Sequence, residues 1–449
     1  MHSFGSIRTQ ELLCRKCGTS FLSDVGRPSD SCLPPPDAST KRFPTRMDGG
    51  MTPSVRPRLS HQTLAWARQA SGLEPADVAK SAGVTLDRYR GWEAGEDRPT
   101  FRQLRQLANK LKRPLALFYL TRPPVEPESP RDFRLLGDKR SSYGPELRLE
   151  LRKATRTQFL AASLAEELGL DLSPSFPSAS TETDPEMLGW QLRTCLRIPV
   201  ADQVAVGDPG RLYRSWRDAV FDLGVLTLQF GLDRREALGF ALWHDVAPVV
   251  AVNTRQTPAA KSFTLLHELA HVALRMPGVS DAALPFQTPS VGQSGSIERF
   301  CNHVAAAVLL LQAANEVHEA LDALVRRDLD LRAVRSQAHR FGVSKYAIAY
   351  RLSTLRPETR ELVEQRISTW FAIDQSSNSD TKKSKKGPPP ALASLGKRGK
   401  GFSRRVLTAV RESRLSFEDA RDLLDLEPHH FSKLEEFVFK PEPEEDDTG

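Results

Sequence analysis

Between residues 59 and 120 apolar side chains recur every three or four positions. They are Leu64, Ala67, Leu73, Val78, Ala79, Ala82, Val84, Tyr89, Trp92, Leu104, Leu107, Ala108 and Leu111. That spacing predicts short amphipathic helices. Gly72, Gly83 and Gly95 fall where these helices should end. Thr85 can cap the third helix, and Thr100 with Gln103 reads as a capping box opening the fourth. The turn Ala82-Gly-Val-Thr85 between the second and third predicts a helix-turn-helix.

Further along, Leu147, Leu151, Ala154, Phe159, Ala162, Leu164 and Leu168 predict one long helix. Residues 185–196 and 209–223 predict two more, the second stopped by Gly224. Short runs at 225–230, 238–243 and 248–252 are partly β-branched or aromatic and are bounded by Gly, Asp or Asn. They predict three strands of a small antiparallel sheet. The stretch from Phe263 to Leu274 is apolar nearly all round, the mark of a buried helix. Residues 357–373 predict another helix. Residues 402–438 carry Val406, Leu407, Val410, Leu415, Phe417, Ala420, Leu423, Leu424, Phe431, Leu434 and Phe437, consistent with a small helical module.

Composition then divides the 449 residues. Residues 1–57 are rich in Ser, Pro, Gly and Arg without periodicity, and predict an extension lacking stable order. The divisions are a helix-turn-helix domain at 58–122, a larger domain at 130–374, a basic flexible linker at 375–401 and the helical module at 402–440. The fold class is multidomain and mainly α, with an all-α domain followed by an α+β domain. A net charge of +7 permits an acidic partner without demanding nucleic acid. No apolar run is long enough to span a bilayer, and the N-terminus has no secretory core. Cys14, Cys17, Cys32, Cys195 and Cys301 are an odd and scattered set, which suits a reducing cytoplasm. Cys14 and Cys17 form half a zinc ribbon, but no second pair follows, and a structural zinc wants four ligands.

The chemistry sits in the buried helix. His267, Glu268 and His271 form His-Glu-x-x-His. Positions four apart share a helix face, so the two imidazoles aim at one point and Glu268 lies beside it. Chance would produce this pattern in roughly one such chain in a hundred. Two imidazoles and a flanking carboxylate suit Zn²⁺ and general-base work. Charged and imidazole side chains inside an apolar helix need partners, and a metal supplies them. A catalytic zinc takes a third protein ligand and keeps a place for water. Pro277 stands where the metzincin class needs its third histidine. The candidates are Glu298, Asp281 and His303, with Glu298 favoured because it stands on a predicted helix beginning near Ser296.

Two resemblances follow. The run Gly72-Leu73, Val78-Ala79, Gly83-Val84-Thr85, Tyr89, Trp92-Glu93, Gly95, Pro99-Thr100, Leu104 and Leu107-Ala108 resembles the XRE, or lambda-repressor-like, helix-turn-helix domain. That family binds operator DNA through its third helix. Here the base-facing positions are Leu86, Asp87 and Gly91, which read bases poorly, and Pro75 replaces the usual Gln. Arg88 and Arg90 remain as candidate phosphate contacts.

The second resemblance rests on Val252-Asn253, Phe263 through Leu274, Glu298 with Asn302, Phe341-Gly-Val-Ser344 and Arg351-Leu352. Together these resemble the ImmA/IrrE metallo-endopeptidases over residues 130–356. The resemblance implies a zincin-like fold, one Zn²⁺ (or Mn²⁺) held by His267, His271 and Glu298, and Glu268 as the catalytic glutamate. It implies a cytoplasmic endopeptidase whose protein substrate is a helix-turn-helix repressor or another regulator. The alternative is a DNA-binding regulator, acting through residues 58–122, whose metal domain senses or scaffolds. Cys301 and Leu311 depart from the family pattern, away from the inferred ligands. His339 and Tyr346 lie downstream as candidate oxyanion partners.

Overall fold

The computed structural model describes residues 56–124, 143–167, 173–280, 293–376 and 387–439. Outside these lie most of the N-terminal extension with Cys14, Cys17 and Cys32, the connector around Asp132, the ligand candidate Asp281, the lysines at 382–386 and the acidic end.

The first helices are α1 (His61–Ser71), α2 (Pro75–Ser81), α3 (Leu86–Ala94) and α4 (Phe101–Leu111). Their apolar positions converge on one core built from Leu64, Val78, Tyr89, Trp92, Leu104, Leu107 and Phe118. The capping chemistry is what the spacing predicts. Thr85 accepts from the Arg88 amide, and Thr100 and Gln103 cap each other reciprocally. Gly83 closes the turn with φ +66°, a conformation glycine adopts without strain.

The chain continues through α5 (Pro145–Glu167), α6 (Pro185–Leu196), α7 (Val200–Val206) and α8 (Pro209–Asp222). Then come strands β1 (Leu226–Phe230), β2 (Gly239–Leu242) and β3 (Val249–Asn253), helix α9 (Pro258–Ala273) and strand β4 (Gly278–Ser280). Helices α10 (Gln293–Leu309), α11 (Asn315–Val325), α12 (Leu331–Arg340), α13 (Lys345–Leu355) and α14 (Arg360–Ser376) follow. The last four are α15 (Pro390–Arg398), α16 (Lys400–Arg411), α17 (Phe417–Leu424) and α18 (Phe431–Phe439).

The sheet order is β1-β3-β2-β4. It is mixed rather than antiparallel: β2 runs against both β3 and β4, but β1 lies parallel to β3, with Leu226 opposite Val249. The reason lies in the connections. β2 and β3 form a hairpin, which leaves the outer edge of β3 for β1, and β1 reaches it in the same direction. Buried Asn253 fixes the β1–β2 crossing by donating to the carbonyls of Leu232 and Ala237 at 3.0 and 2.8 Å. β4 falls in a Pro- and Gly-containing segment that the composition reads as loop.

Strand alternation gives the sheet two faces. Ala241, Val250 and Val252 join the core of α6, α8, α9, α10 and α13. Leu226, Leu228, Phe240, Val249 and Ala251 face the other way, toward α5 and the C-terminal helices. Residues 390–398, assigned by composition to the linker, form α15. Its proline stands at the first helical position, where a missing N–H costs nothing. The C-terminal helices are also not a separate core: Phe402, Val406, Leu407, Leu423 and Leu424 pack in the same cluster as the sheet's second face.

Candidate metal centre

Thr257 caps α9 and a proline opens it. The helix then runs buried between the sheet and α8 and α10, carrying His267, Glu268 and His271 inward. The paired helix α10 carries Glu298, buried, and Asn302 one turn further on. His267, His271 and Glu298 converge, and they form a group able to hold a metal ion, their ligand atoms all within 4.8 Å of one another. Nε2 of His267 lies 3.2 Å from Nε2 of His271. The two carboxylate oxygens of Glu298 stand 3.3 Å from one imidazole each.

These distances test the fit to a metal. Ligands about 2.0–2.1 Å from a tetrahedral zinc are separated by about 3.3–3.4 Å. The three observed edges agree with that figure. Asn302 Oδ1 accepts from Nδ1 of His267 at 2.9 Å, which fixes the tautomer and leaves the Nε2 lone pair facing the centre. The electrostatics agree as well. Burial pushes the Glu298 carboxyl upward, but the two imidazoles outweigh it and hold the group well below the usual carboxylate range. Burial acts downward on His267, and Glu298 reverses the sign, so its imidazole is raised.

Glu268 is fully buried beside this group. Ser280 Oγ, from β4, donates to its Oε1 at 2.6 Å, while Oε2 has no hydrogen-bond partner. Burial lifts the Glu268 carboxyl above its ordinary range, opposed by the two imidazoles and by Ser280. Gly239 of β2 makes room for it, since a Cβ there would stand 2.7 Å from Glu268 Oε1 and 2.6 Å from Thr264. Neither Ser280 nor Gly239 is visible as a site residue in the sequence. Gly239 lies well before the motif and Ser280 in the segment that follows it, and only the pairing of β2 with β4 brings both to Glu268.

The other candidates go elsewhere. His303 turns to α6, where its Nε2 lies 2.6 Å from Glu186 Oε1. Arg351, fully buried, grips the same carboxylate through both terminal nitrogens and donates from Nε to the Leu310 carbonyl at 2.7 Å. The Tyr346 hydroxyl is committed to Asp374 at 2.8 Å, and His339 is exposed. Cys301 is buried in the core, where desolvation raises its thiol well above the ordinary value. On α3, Arg88 and Arg90 are exposed, and Arg88 pairs with Asp97 at 3.3 Å.

A mixed sheet backing a helix that presents two histidines and a glutamate to a second helix is a metallopeptidase-type arrangement. Comparison with protein families agrees: residues 221–353 match the IrrE N-terminal-like domain, a peptidase family, and residues 64–118 match the helix-turn-helix family. The chain therefore joins an XRE-like helix-turn-helix domain to an IrrE-like peptidase domain, the ImmA/IrrE architecture. A search of curated proteins finds no match to the chain. Among the described residues, no helix is long and apolar enough to cross a membrane.

Proposed function

We propose that the chain is a zinc-dependent endopeptidase of the cytoplasm that cuts a regulatory protein, with a helix-turn-helix repressor as the partner class. The observation that carries this is the convergence of His267, His271 and Glu298 beside the unpartnered, buried Oε2 of Glu268. His267, His271 and Glu298 hold the ion. Two imidazoles and a carboxylate suit Zn²⁺, with Mn²⁺ as the alternative. When bound, the ion supplies Lewis acidity, which brings the pKa of a water toward about 7 and polarises a carbonyl.

Glu268 is the general base. Its Oε2 has no hydrogen-bond partner and is free to accept the proton of the attacking water. The same oxygen returns the proton to the departing amine. Ser280 keeps Oε1 occupied, so the carboxylate meets water with one defined oxygen. Asn302 keeps His267 in the tautomer that presents Nε2. β4 is an edge strand and carries Ser280, so an extended peptide adding beside β4 would run past Glu268.

The test incubates the full chain with the product of the neighbouring gene and follows its cleavage. Glu268→Gln should retain the metal and lose cleavage. Unchanged cleavage by that variant rejects the role. The second reading, a DNA-binding regulator with a sensory metal domain, is favoured by the exposed Arg88 and Arg90. It requires a salt-dependent, sequence-selective complex with DNA and no loss of output in Glu268→Gln.

A further inference from the structure

The residues from Leu73 to Glu93 and from Leu415 to Glu435 pair position for position without a gap. The first set holds α2, the turn and most of α3. The second holds α17, a turn and the start of α18. Glu74 and Ser416 are the N-caps of the two second helices. Gly83 and Asp425 take the same left-handed conformation, φ +66° and +50°. Just after it, the Val84 amide donates to the Ala79 carbonyl at 3.1 Å, and the Leu426 amide donates to the Arg421 carbonyl at 3.2 Å. Thr85 and Glu427 then open the third helical stretch. Val78 pairs with Ala420, Tyr89 with Phe431 and Trp92 with Leu434, and all six are buried.

An ion pair completes the correspondence. In the first unit Arg68 of α1 reaches Glu93 of α3 at 2.7 Å. In the second, Arg411 of α16, one position beyond the register of Arg68, reaches Glu435 of α18 at 2.8 Å. Each joins the last turn of the first helix to the same position of the third. The turn alone would prove little, because Gly342, Val343 and Ser344 repeat it between α12 and α13. There, however, the position of Trp92 is held by Arg351, which serves Glu186, and that of Glu93 by Leu352, so the ion pair has no counterpart.

The two units differ in what they offer outward. Residues 56–122 carry thirteen Lys and Arg against six Asp and Glu, while residues 400–439 carry seven against eight. Arg88 and Arg90 correspond to His430 and Ser432, Pro75 to Phe417 and Ala76 to Glu418. Phe417 is 62% exposed where a DNA-binding second helix would meet phosphate. The second unit is instead packed inward. Phe402, Val406, Leu423 and Leu424 share a core with the sheet, Arg405 lies over the Phe221 ring at 4.5 Å, and Gly401 lets α16 approach that ring.

We infer that α16–α18 is a second helix-turn-helix unit of the same class as α1–α3, turned from nucleic acid to holding the back of the peptidase sheet, so that duplex DNA is met by the first unit alone. The test uses the full chain and a labelled random-sequence duplex, titrated at low salt and again as salt rises. The wild type should bind at low salt and release steeply. Arg88→Glu with Arg90→Glu should weaken binding by tenfold or more, and His430→Glu with Ser432→Glu should leave it within twofold. Equal weakening by both pairs, or no binding at low salt, overturns the division of labour. The equivalence of the turns is read separately by thermal melting: in a Lys397→Ala background, which already lacks the Lys397–Asp425 ion pair, Asp425→Gly should leave the melting temperature unchanged or raise it, and a fall of several degrees overturns it.

Discussion

Ser280 Oγ donates to Glu268 Oε1 at 2.6 Å from a strand only three residues long, and so pins the carboxylate proposed as the base. Removing the hydroxyl leaves a second buried oxygen without a partner and frees the carboxylate to rotate. Ser280→Ala should therefore lower turnover by about tenfold with bound metal unchanged, as measured by substrate cleavage and metal analysis. Ser280→Thr should restore much of the loss, because it returns the donor.

Gly239 is the wall behind the same carboxylate. Gly239→Ala would place a methyl 2.7 Å from Glu268 Oε1 and 3.0 Å from the Ala251 carbonyl, and the backbone oxygen cannot give way cheaply. The substitution should cost about 1–3 kcal/mol of stability by denaturant unfolding, with hydrolysis falling further than stability alone explains.

These two residues show where the sequence stops being legible. His267 and His271 are readable because helix geometry turns a spacing of four into a shared face. Glu298 is readable as a helix-borne acid after a loop. The capping box at Thr100 and Gln103 is equally local. Ser280 and Gly239 are not, because their role depends on strand order, and short apolar runs do not encode which strand lies beside which. The parallel pairing of β1 with β3 escapes for the same reason. α15 is hidden by the prolines that precede and open it, which read as linker until the buried face of Ala391 and Ser394 is seen. The pairing of Glu186 with Arg351 spans most of the larger domain and leaves no local trace.

That pairing makes acid stability a measurable quantity. Burial alone would raise the Glu186 carboxyl, but Arg351 and His303 bring it down to about 2. A carboxylate held below its unfolded value stabilises the fold above about pH 4.5, and that contribution is lost as pH falls toward 2. With Glu186 about a fifth exposed, the shift amounts to about 3 kcal/mol at most. Glu186→Gln should lower the melting temperature at pH 7 and flatten the loss of stability between pH 4.5 and 2. A variant with an unchanged acid limb would show that the ion pair carries no net stability.

Cutting the chain before α15 should not release an intact peptidase. Leu226 and Leu228 of β1 would lose the cover of α15, and the buried faces of α16–α18 that share their cluster would be gone. A protein ending at residue 386 should be recovered mainly in aggregates, or bind hydrophobic dye in excess of the full chain, by light scattering and fluorescence.

Metal analysis of the purified chain and three variants tests the central claim most directly. Wild type and Glu268→Gln should each carry one divalent ion per chain, and His267→Ala and Glu298→Ala should carry almost none while still melting cooperatively. An undiminished ion in Glu298→Ala, or its loss in Glu268→Gln, would contradict the assignment of ligands and base.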